Sequence, residues 1–461
     1  MVNNIPHGEK KMKIIITGSG TVGSAICHQL IKEGHDVTVI DSNHVTLTEI
    51  SNTCDVTAML GNSADVELLR EAGAESADLL IAVTAMDEVN MLSCYAARKL
   101  GTAHTVARVR NPEYTTFMNL MKEDMNLSLT INPEYATAKE IARILKFPNA
   151  SKVDTFCDGR VEIAEIKVAP DSPLCNLSLF DLREKFNIKF LVCGVRRGEE
   201  VYIPSGNFVI REGDSICVTA PEEELQKFFK LISKNKRPIK NILISGGGRT
   251  TYYLAKMLGK NLGNTTIIEK NLVRCEDLSA EYNIDVTHGD GTSQELLLEE
   301  GLESADVFLA LSDVDEENAI VSMYAKKIGV PKIITMIRSL PYIDFFKDVG
   351  LDCIVSPKSS TVDYILRFIR GMADAKDSEI ESLHTMMNGK IEALEFIIKE
   401  NIEGLTGIPI AEIKRIKNSL LACIVRDGSI IIPSGSDTIN VGDRIIVLVT
   451  GSIKNIKDIL D

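Results

Sequence analysis

Histidine is scarce in this chain: there are seven in 461 residues, and none falls between His104 and His288. A dehydrogenase needs a general acid or base beside its cofactor, and a serine hydrolase needs an imidazole between nucleophile and carboxylate. The shortage counts against both. His28, His35 and His44 fall near the first helical stretch and the second strand, where they read as surface or capping residues. No metal-spaced cluster of His and Asp and no lysine in an apolar cleft stands out, so neither catalytic nor metal-ligating residues are expected. The ten cysteines include no CxxC pair and lie mostly in apolar runs such as "FLVCGV" and "SICVTA", the pattern of buried free thiols in a reducing cytosol. No apolar run approaches the ~18 residues that a membrane span requires. The start, "MVNNIPHGEKKMKIII", has no small-residue cleavage site after an apolar core, so no secretory signal is expected. Lys and Arg are not gathered into a stripe, and a net charge of −14 repels phosphate backbones, which counts against nucleic acid as a partner. An acidic surface can still dock on the Lys and Arg loops at the cytoplasmic side of a membrane protein.

What the chain has is length and repetition. At roughly 150 residues per folding unit, its length implies about three or four units. Laid over itself with an offset of 228 residues, the sequence places Gly18 on Gly246, Gly20 on Gly248, Asp41 on Glu269, Asn90 on Asn318 and Arg110 on Arg338. After a short slip "NPEYATAKEIARIL" aligns with "SPKSSTVDYILRFI", and further on "YIPSGNFVIREGDSICV" aligns with "IIPSGSDTINVGDRIIV". The chain is a tandem duplication in which each half holds a larger and a smaller unit. In the larger unit the runs "KIIIT", "DVTVID", "VTAML", "DLLIAVT" and "TVARVR" alternate with stretches of helical spacing. That alternation predicts an α/β fold, a doubly wound parallel sheet with helices on both faces. The smaller units, β-branched runs punctuated by "IPSG" and by "EGD" or "VGD", read as short strands joined by turns. The expected units are 12–150, 151–232, 240–375 and 384–461, with linkers at 233–240 and around 375–383.

"GSGTVG" is a G-x-G-x-x-G turn set between a strand and a helix, the context that gives the motif its meaning. Gly18 permits the tight turn, Gly20 lets a pyrophosphate approach the backbone, and Gly23 lets the helix pack closely on the strand. Ser19, Thr21 and Val22 complete the loop, whose helix N-terminus offers unpaired N–H groups to an anion. Asp41 ends the second strand, where its carboxylate can accept from both ribose hydroxyls and would repel a 2′-phosphate. NAD, NADH or an adenine nucleotide is therefore favoured over NADP. At the fourth strand Thr84 and Ala85 should line the crevice. Of the two arginines that close the fifth strand, Arg108 is expected to face the nucleotide and Arg110 a carboxylate partner or a subunit interface. The second copy retains Gly246, Gly248 and Glu269 and has Gly247 and Thr250 in its loop, but carries Thr251 for Gly23, Arg249 for Thr21 and Met336 for Arg108. Arg249 makes ADP or ATP a credible occupant there. The other reading is a decayed site kept as a scaffold.

The stretches "MKIIITGSGTVGSAICHQL", "AVTAMDEVNMLSCYAARKLG" and "ARVRNPEY", with the "IPSG…EGD" module behind them, resemble the KTN/RCK family of potassium-conductance regulators. The resemblance covers nearly every residue from Met12 onward. It implies two Rossmann-like RCK-N domains, each followed by a small α+β RCK-C domain, with the cores pairing through the helices after the fifth strand. It also implies a cytoplasmic homo-oligomer, dimer or tetramer, lying peripherally on the inner face of the cell membrane. There it would gate a membrane potassium transporter of the Trk type according to nucleotide occupancy. An NAD-dependent oxidoreductase and a structural ring with degenerate sites are the alternatives.

Overall fold

Ile14 and Ile16 of the first strand, β1 (Lys13–Thr17), enter one apolar core and Ile15 enters another, as the two-residue period of a strand demands. A strand buried on both faces belongs in a sheet covered on both sides. The structure, a computed structural model, describes residues 11–114, 127–147, 149–232, 239–259, 264–282, 284–351, 353–374, 380–387, 389–414, 419–451, 453 and 455–460. Besides β1, the first large unit contains β2 (Asp36–Asp41), β3 (Thr57–Leu60), β4 (Leu79–Ala82), β5 (His104–Arg108) and β6 (Leu129–Ile131). All pair in parallel, in the order β3-β2-β1-β4-β5-β6. Helices α1 (Thr21–Lys32), α2 (His44–Thr53), α3 (Val66–Glu71) and α4 (Asp87–Leu100) make the crossovers. The order reverses between β1 and β4, so the crevice of this doubly wound sheet opens beside the glycine turn.

Helix α5 (Pro133–Lys146) then leaves its own unit. Asn132 caps it, accepting from Tyr135 N–H at 2.8 Å, and Pro133 opens it. The first small unit follows: β7 (Ala150–Phe156), β8 (Val161–Lys167), α6 (Leu179–Phe186), β9 (Leu191–Arg197), β10 (Glu200–Tyr202), β11 (Ser215–Thr219) and α7 (Glu222–Ile232). Its sheet is antiparallel, ordered β10-β9-β11-β8-β7.

The second large unit repeats the first. Its strands are β12 (Asn241–Ser245), β13 (Asn264–Glu269), β14 (Asp285–His288), β15 (Val307–Ala310), β16 (Lys332–Met336) and β17 (Ile354–Val355), in the parallel order β14-β13-β12-β15-β16-β17. Its helices are α8 (Arg249–Leu258), α9 (Leu272–Tyr282), α10 (Gln294–Glu299), α11 (Asp315–Ile328), α12 (Ile343–Asp348) and α13 (Pro357–Asp374). The second small unit holds β18 (Ile380–Met386), β19 (Ile391–Ile397), β20 (Ser419–Arg426), β21 (Ser429–Ile431) and β22 (Arg444–Val449), ordered β18-β19-β22-β20-β21. That is the strand order of the first small unit again. The polar stretch read as a linker around 375–383 contributes its last four residues to β18, because Ile380 and Leu383 pack into the apolar core of the second small unit. Most of the other expected linker, 233–238, lies outside the described residues.

Two exchanges bind the halves together. Helix α13 buries Ile365, Leu366 and Ile369 among Ile16, Val22, Ile26 and Leu30 of the first large unit. Reciprocally, α5 buries Ala138, Ile141 and Ile144 among Ile242, Leu254 and Ile267 of the second. Each large unit is therefore closed by the last helix of the other. A fully buried Leu or Ile is worth about 1.5–3 kcal/mol relative to exposure, so the crossed helices fasten the halves firmly. The small sheets also meet face to face within the chain, through Phe156, Ile163, Cys193 and Cys217 on one side and Met386, Ile391, Cys423 and Leu448 on the other. Three polar links reinforce that contact: Asp154 to His384 at 3.2 Å, Cys157 N–H to Glu395 at 3.0 Å and Arg444 to Asp158 at 2.7 Å.

Candidate functional site

The first glycine turn has the geometry an anion requires. Gly18 has φ +100°, and a Cβ there would stand 2.9 Å from the backbone nitrogen of Thr84. The turn is thereby pressed against the end of β4. A Cβ on Gly23 would lie 1.8 Å from the carbonyl oxygen of Gly18, so only glycine lets α1 begin this close to the strand. A Cβ on Gly20 would meet no atom within 4 Å. Gly20 is the N-cap of α1, no side chain caps the helix and its first turn carries no acidic residue. The N–H groups of Thr21, Val22 and Gly23 at that end have no intrahelical acceptor, and Ser24 N–H is the first to bond within the helix, to the Gly20 carbonyl at 2.8 Å.

Asp41 stands across the turn. One carboxylate oxygen accepts from the N–H and the hydroxyl of Ser19, at 2.5 and 2.8 Å, and the other from Asn43 N–H at 2.8 Å. The oxygen bonded to Asn43 alone keeps a lone pair for a ribose hydroxyl. Thr84 is half-buried beside the turn and Ala85 is exposed. Arg108 donates to the carbonyl of Thr84 at 2.5 Å, while its buried Nε has no hydrogen-bond partner. Burial, and then the neighbouring charge of Arg110, pulls the Arg108 guanidinium down to about 10. A half-buried cation with an unused buried donor beside an uncapped helix start fits a bound phosphate. Arg110 turns instead to Asp87, at 3.4 Å, and to the carbonyl of Ala85.

The second turn keeps the plan with altered chemistry. Gly246 has φ +106°, and Gly248 caps α8 with nothing within 4 Å of an added Cβ. Glu269 repeats Asp41, accepting from the N–H of Gly247 at 2.6 Å and of Asn271 at 2.7 Å, though it is more deeply buried. Thr251, where the first copy has Gly23, is wholly buried and donates to the carbonyl of Gly246 at 2.6 Å. Its methyl and hydroxyl occupy space that the first turn leaves to the backbone. Buried Thr250 points its hydroxyl at the sulfur of Met336, 3.9 Å away, so no cation stands where Arg108 stands in the first copy. Arg249 is exposed.

Several structuring residues escaped sequence reading. Asn90 joins the ends of two strands, accepting from Thr84 N–H at 2.8 Å and donating to the carbonyl of Arg108 at 2.9 Å. Asn318 does the same between Ser312 and Met336. Asp87 accepts from the N–H groups of Arg110 and Asn111, and Asp315 from those of Arg338 and Ser339. Their recurrence at the 228-residue offset was the available signal. His35 is a correction: it is buried rather than on the surface, and its Nδ1 accepts from Met12 N–H at 3.4 Å. Among the described residues no group of His, Cys, Asp and Glu is arranged to hold a metal ion. A cavity of about 1720 Å³ lies away from both turns, between the exchanged helices and the small units, with Asp154, Glu165 and His384 in its wall.

Comparison with known proteins agrees with this layout. The TrkA-N domain family matches residues 14–129 and 242–357, and the TrkA-C domain family matches 163–233. The Trk system potassium uptake protein TrkA homolog of Archaeoglobus fulgidus is 31% identical over 95% of this chain and 97% of its own. The Trk system potassium uptake protein TrkA of Halomonas elongata is 31% identical over 97% of this chain and 98% of its own. Among solved structures, the GsuK RCK domain superposes with a TM-score of 0.62 at 18% identity, covering 98% of this chain and 96% of that one. The GsuK channel bound to NAD superposes with a TM-score of 0.63 at 17% identity, covering 97% of this chain and 78% of that one. The likeness to the GsuK structures shows the fold, two Rossmann-like RCK-N domains each followed by an RCK-C domain.

Proposed function

The chain belongs to the TrkA family of Trk system potassium uptake proteins, and from that premise we propose that it is a nucleotide-sensing regulator that gates a membrane potassium transporter of the Trk type. Its role is regulatory and in potassium transport; the relatives named above are potassium uptake proteins and channel domains, not enzymes. No described helix is long and apolar enough to cross a membrane, and the reading places the protein on the cytoplasmic face, held there by the transporter.

The observation that carries the reading is the first turn: an open Gly20, an uncapped helix start, a ribose-facing Asp41 and a half-buried Arg108 with an unused donor. NAD or NADH would lie with its pyrophosphate on the N–H groups around Gly18–Gly23, its adenosine ribose on Asp41 and its phosphate charge near Arg108. Thr84 and Ala85 would border it. Gly246, Gly247, Gly248, Arg249, Thr250 and Glu269 would hold a second nucleotide, with ADP or ATP as alternatives there. Binding acts on the fold through α5 and α13, since each belongs to one half and is anchored in the core of the other. A ligand that favours one arrangement of these helices shifts the population of the whole chain toward it.

Self-assembly fits the exposed apolar side chains. On and just before α4, Met86, Leu92 and Tyr95 are exposed, and the matching positions by α11 carry exposed Val314, Ile320 and Met323. A repeated apolar patch supports a homo-oligomer of two or four chains.

The test is direct. Gly20→Asp builds a carboxylate into open space at a permitted φ of −66°, so the variant should melt like the parent yet lose nucleotide binding at the first turn. Calorimetry with NAD, NADH, ADP and ATP reads the loss. Potassium flux into liposomes bearing the transporter, with parent or variant added, reads the consequence. Flux indifferent to the protein under every nucleotide would defeat the gating reading.

A further inference from the structure

Lysine 358 opens α13 in the second half, yet it stands at the first nucleotide turn. Its Nζ lies 3.3 Å from the hydroxyl of Thr21, the first residue of α1 after Gly20. The exchanged helix sets it there, because Ile365, Leu366 and Ile369 anchor α13 in the core of the first large unit. Burial lowers the affinity of Lys358 for its proton; the charge of Asp315 opposes it, and those of Arg338 and Arg108 add to it. Among the described residues neither Lys358 nor Arg108 has a carboxylate within ion-pair distance, and Arg108 carries an unpartnered buried Nε. Two cations with no carboxylate at ion-pair distance therefore stand near an uncapped helix start.

The corresponding position in the first half is occupied by Glu134, one residue into α5, as Lys358 is one residue into α13. Its Oε2 is buried without a hydrogen-bond partner, and its charge acts on both Arg108 and Tyr253. At equivalent positions of the two halves, Met336 thus stands for Arg108 and Glu134 for Lys358.

We infer that Lys358 is a phosphate ligand reaching from the second half into the first nucleotide site, so that the first turn is the one built for the more highly charged nucleotide phosphates. This deepens the nucleotide-sensing reading and rests on it. It reverses the expectation, drawn from Arg249, that extra phosphate charge would be better held at the second turn. It also gives occupancy a lever: a phosphate bound at α1 would pull on α13, which leads directly into the second small unit.

The experiment is titration of the full chain by calorimetry with ADP and with NADH, in a Gly248→Asp background that blocks the second turn. Lys358→Met should weaken ADP binding by about tenfold, the scale of one lost charged hydrogen bond. Lys358→Arg should restore most of it, and the salt dependence of binding should be shallower in Lys358→Met than in the parent. Glu134→Gln, an equally placed change at the other helix, should not weaken it. Equal affinity in parent and Lys358→Met would overturn the inference while leaving the nucleotide-sensing reading intact. No binding of either nucleotide by the parent background would overturn both.

Discussion

At Gly20 an added methyl group would meet nothing within 4 Å, whereas at Gly23 it would stand 1.8 Å from a backbone carbonyl oxygen. Three residues apart, the one position is kept open for a ligand and the other is required by packing. Gly23→Ala should therefore cost about 1–3 kcal/mol, as overpacked sites do, with the loss visible in chemical denaturation without any nucleotide present. A variant as stable as the parent would show that α1 can back away from β1. Asp41→Ala removes the ribose acceptor and also frees the N–H and hydroxyl of Ser19, so NADH affinity should fall by about 1–3 kcal/mol, with calorimetry as the measure. The tight turn at the glycines, the place of Asp41 across it and a carboxylate partner for Arg110 were legible in the sequence because backbone needs and strand alternation fix them locally. Lys358 and Glu134 were not, since no local pattern reveals that a helix will be lent to the other half.

Among the elements, the Gly-Asp turns of the small units do more than turn. Gly213 and Gly442 take φ of +80° and +94°, and the adjoining Asp214 and Asp443 grip Arg197 and Arg426 through paired hydrogen bonds of 2.7–2.8 Å. The punctuation was readable as a turn; the arginine clamp was not, because the partner lies 17 residues earlier on another strand. At the seam between the small sheets, buried Glu395 accepts from Arg444 at 2.5 Å and from Cys157 N–H. Glu395→Ala would leave Arg444 with exposed Asp158 alone and the Cys157 N–H unpaired, and should lower stability by about 1–3 kcal/mol in urea unfolding. The matching Glu165 has no such clamp: Arg196 lies 3.9 Å away, and burial outweighs that charge and Lys152 to raise its carboxyl above the usual range. The folded chain thus prefers Glu165 protonated, a contribution present at acid pH and lost as pH rises through its raised value. Glu165→Gln should be more stable than the parent at neutral pH, with the gap closing as pH falls; a gap that widens on acidification would contradict this. Burial also pushes the thiols of Cys193 and Cys423 up to about 12, so both should resist thiol reagents at pH 8 until the chain is unfolded.

On the scale of the whole molecule, the halves stand to each other as two subunits would. The small sheets meet inside the chain, and the helices after the sixth strand of each large sheet, α5 and α13, are exchanged there; residues 115–126, which follow β5, lie outside the described residues. Any larger assembly must use other surfaces, and α4 with α11 supplies them. Leu92→Asp with Ile320→Asp should reduce the mass seen by light scattering without changing the melting temperature; an unchanged mass would move the interface elsewhere. The contact of Asp154 with His384 carries one consequence more. These residues occupy the same place in the two copies and face each other at 3.2 Å. In a dimer of identical chains a residue on the two-fold axis can only confront itself, carboxylate against carboxylate or imidazole against imidazole. Fusion of the copies released that position from self-complementarity and let it diverge into an acid opposite a base. The same freedom placed Glu134 and Lys358 at equivalent helix starts. Produced separately and mixed, segments 11–232 and 239–460 should therefore favour the mixed pair over either like pair in native mass spectrometry. Ancestry as a homodimer is thus preserved in the backbone and erased at the axis, where one gene now writes both sides of a contact.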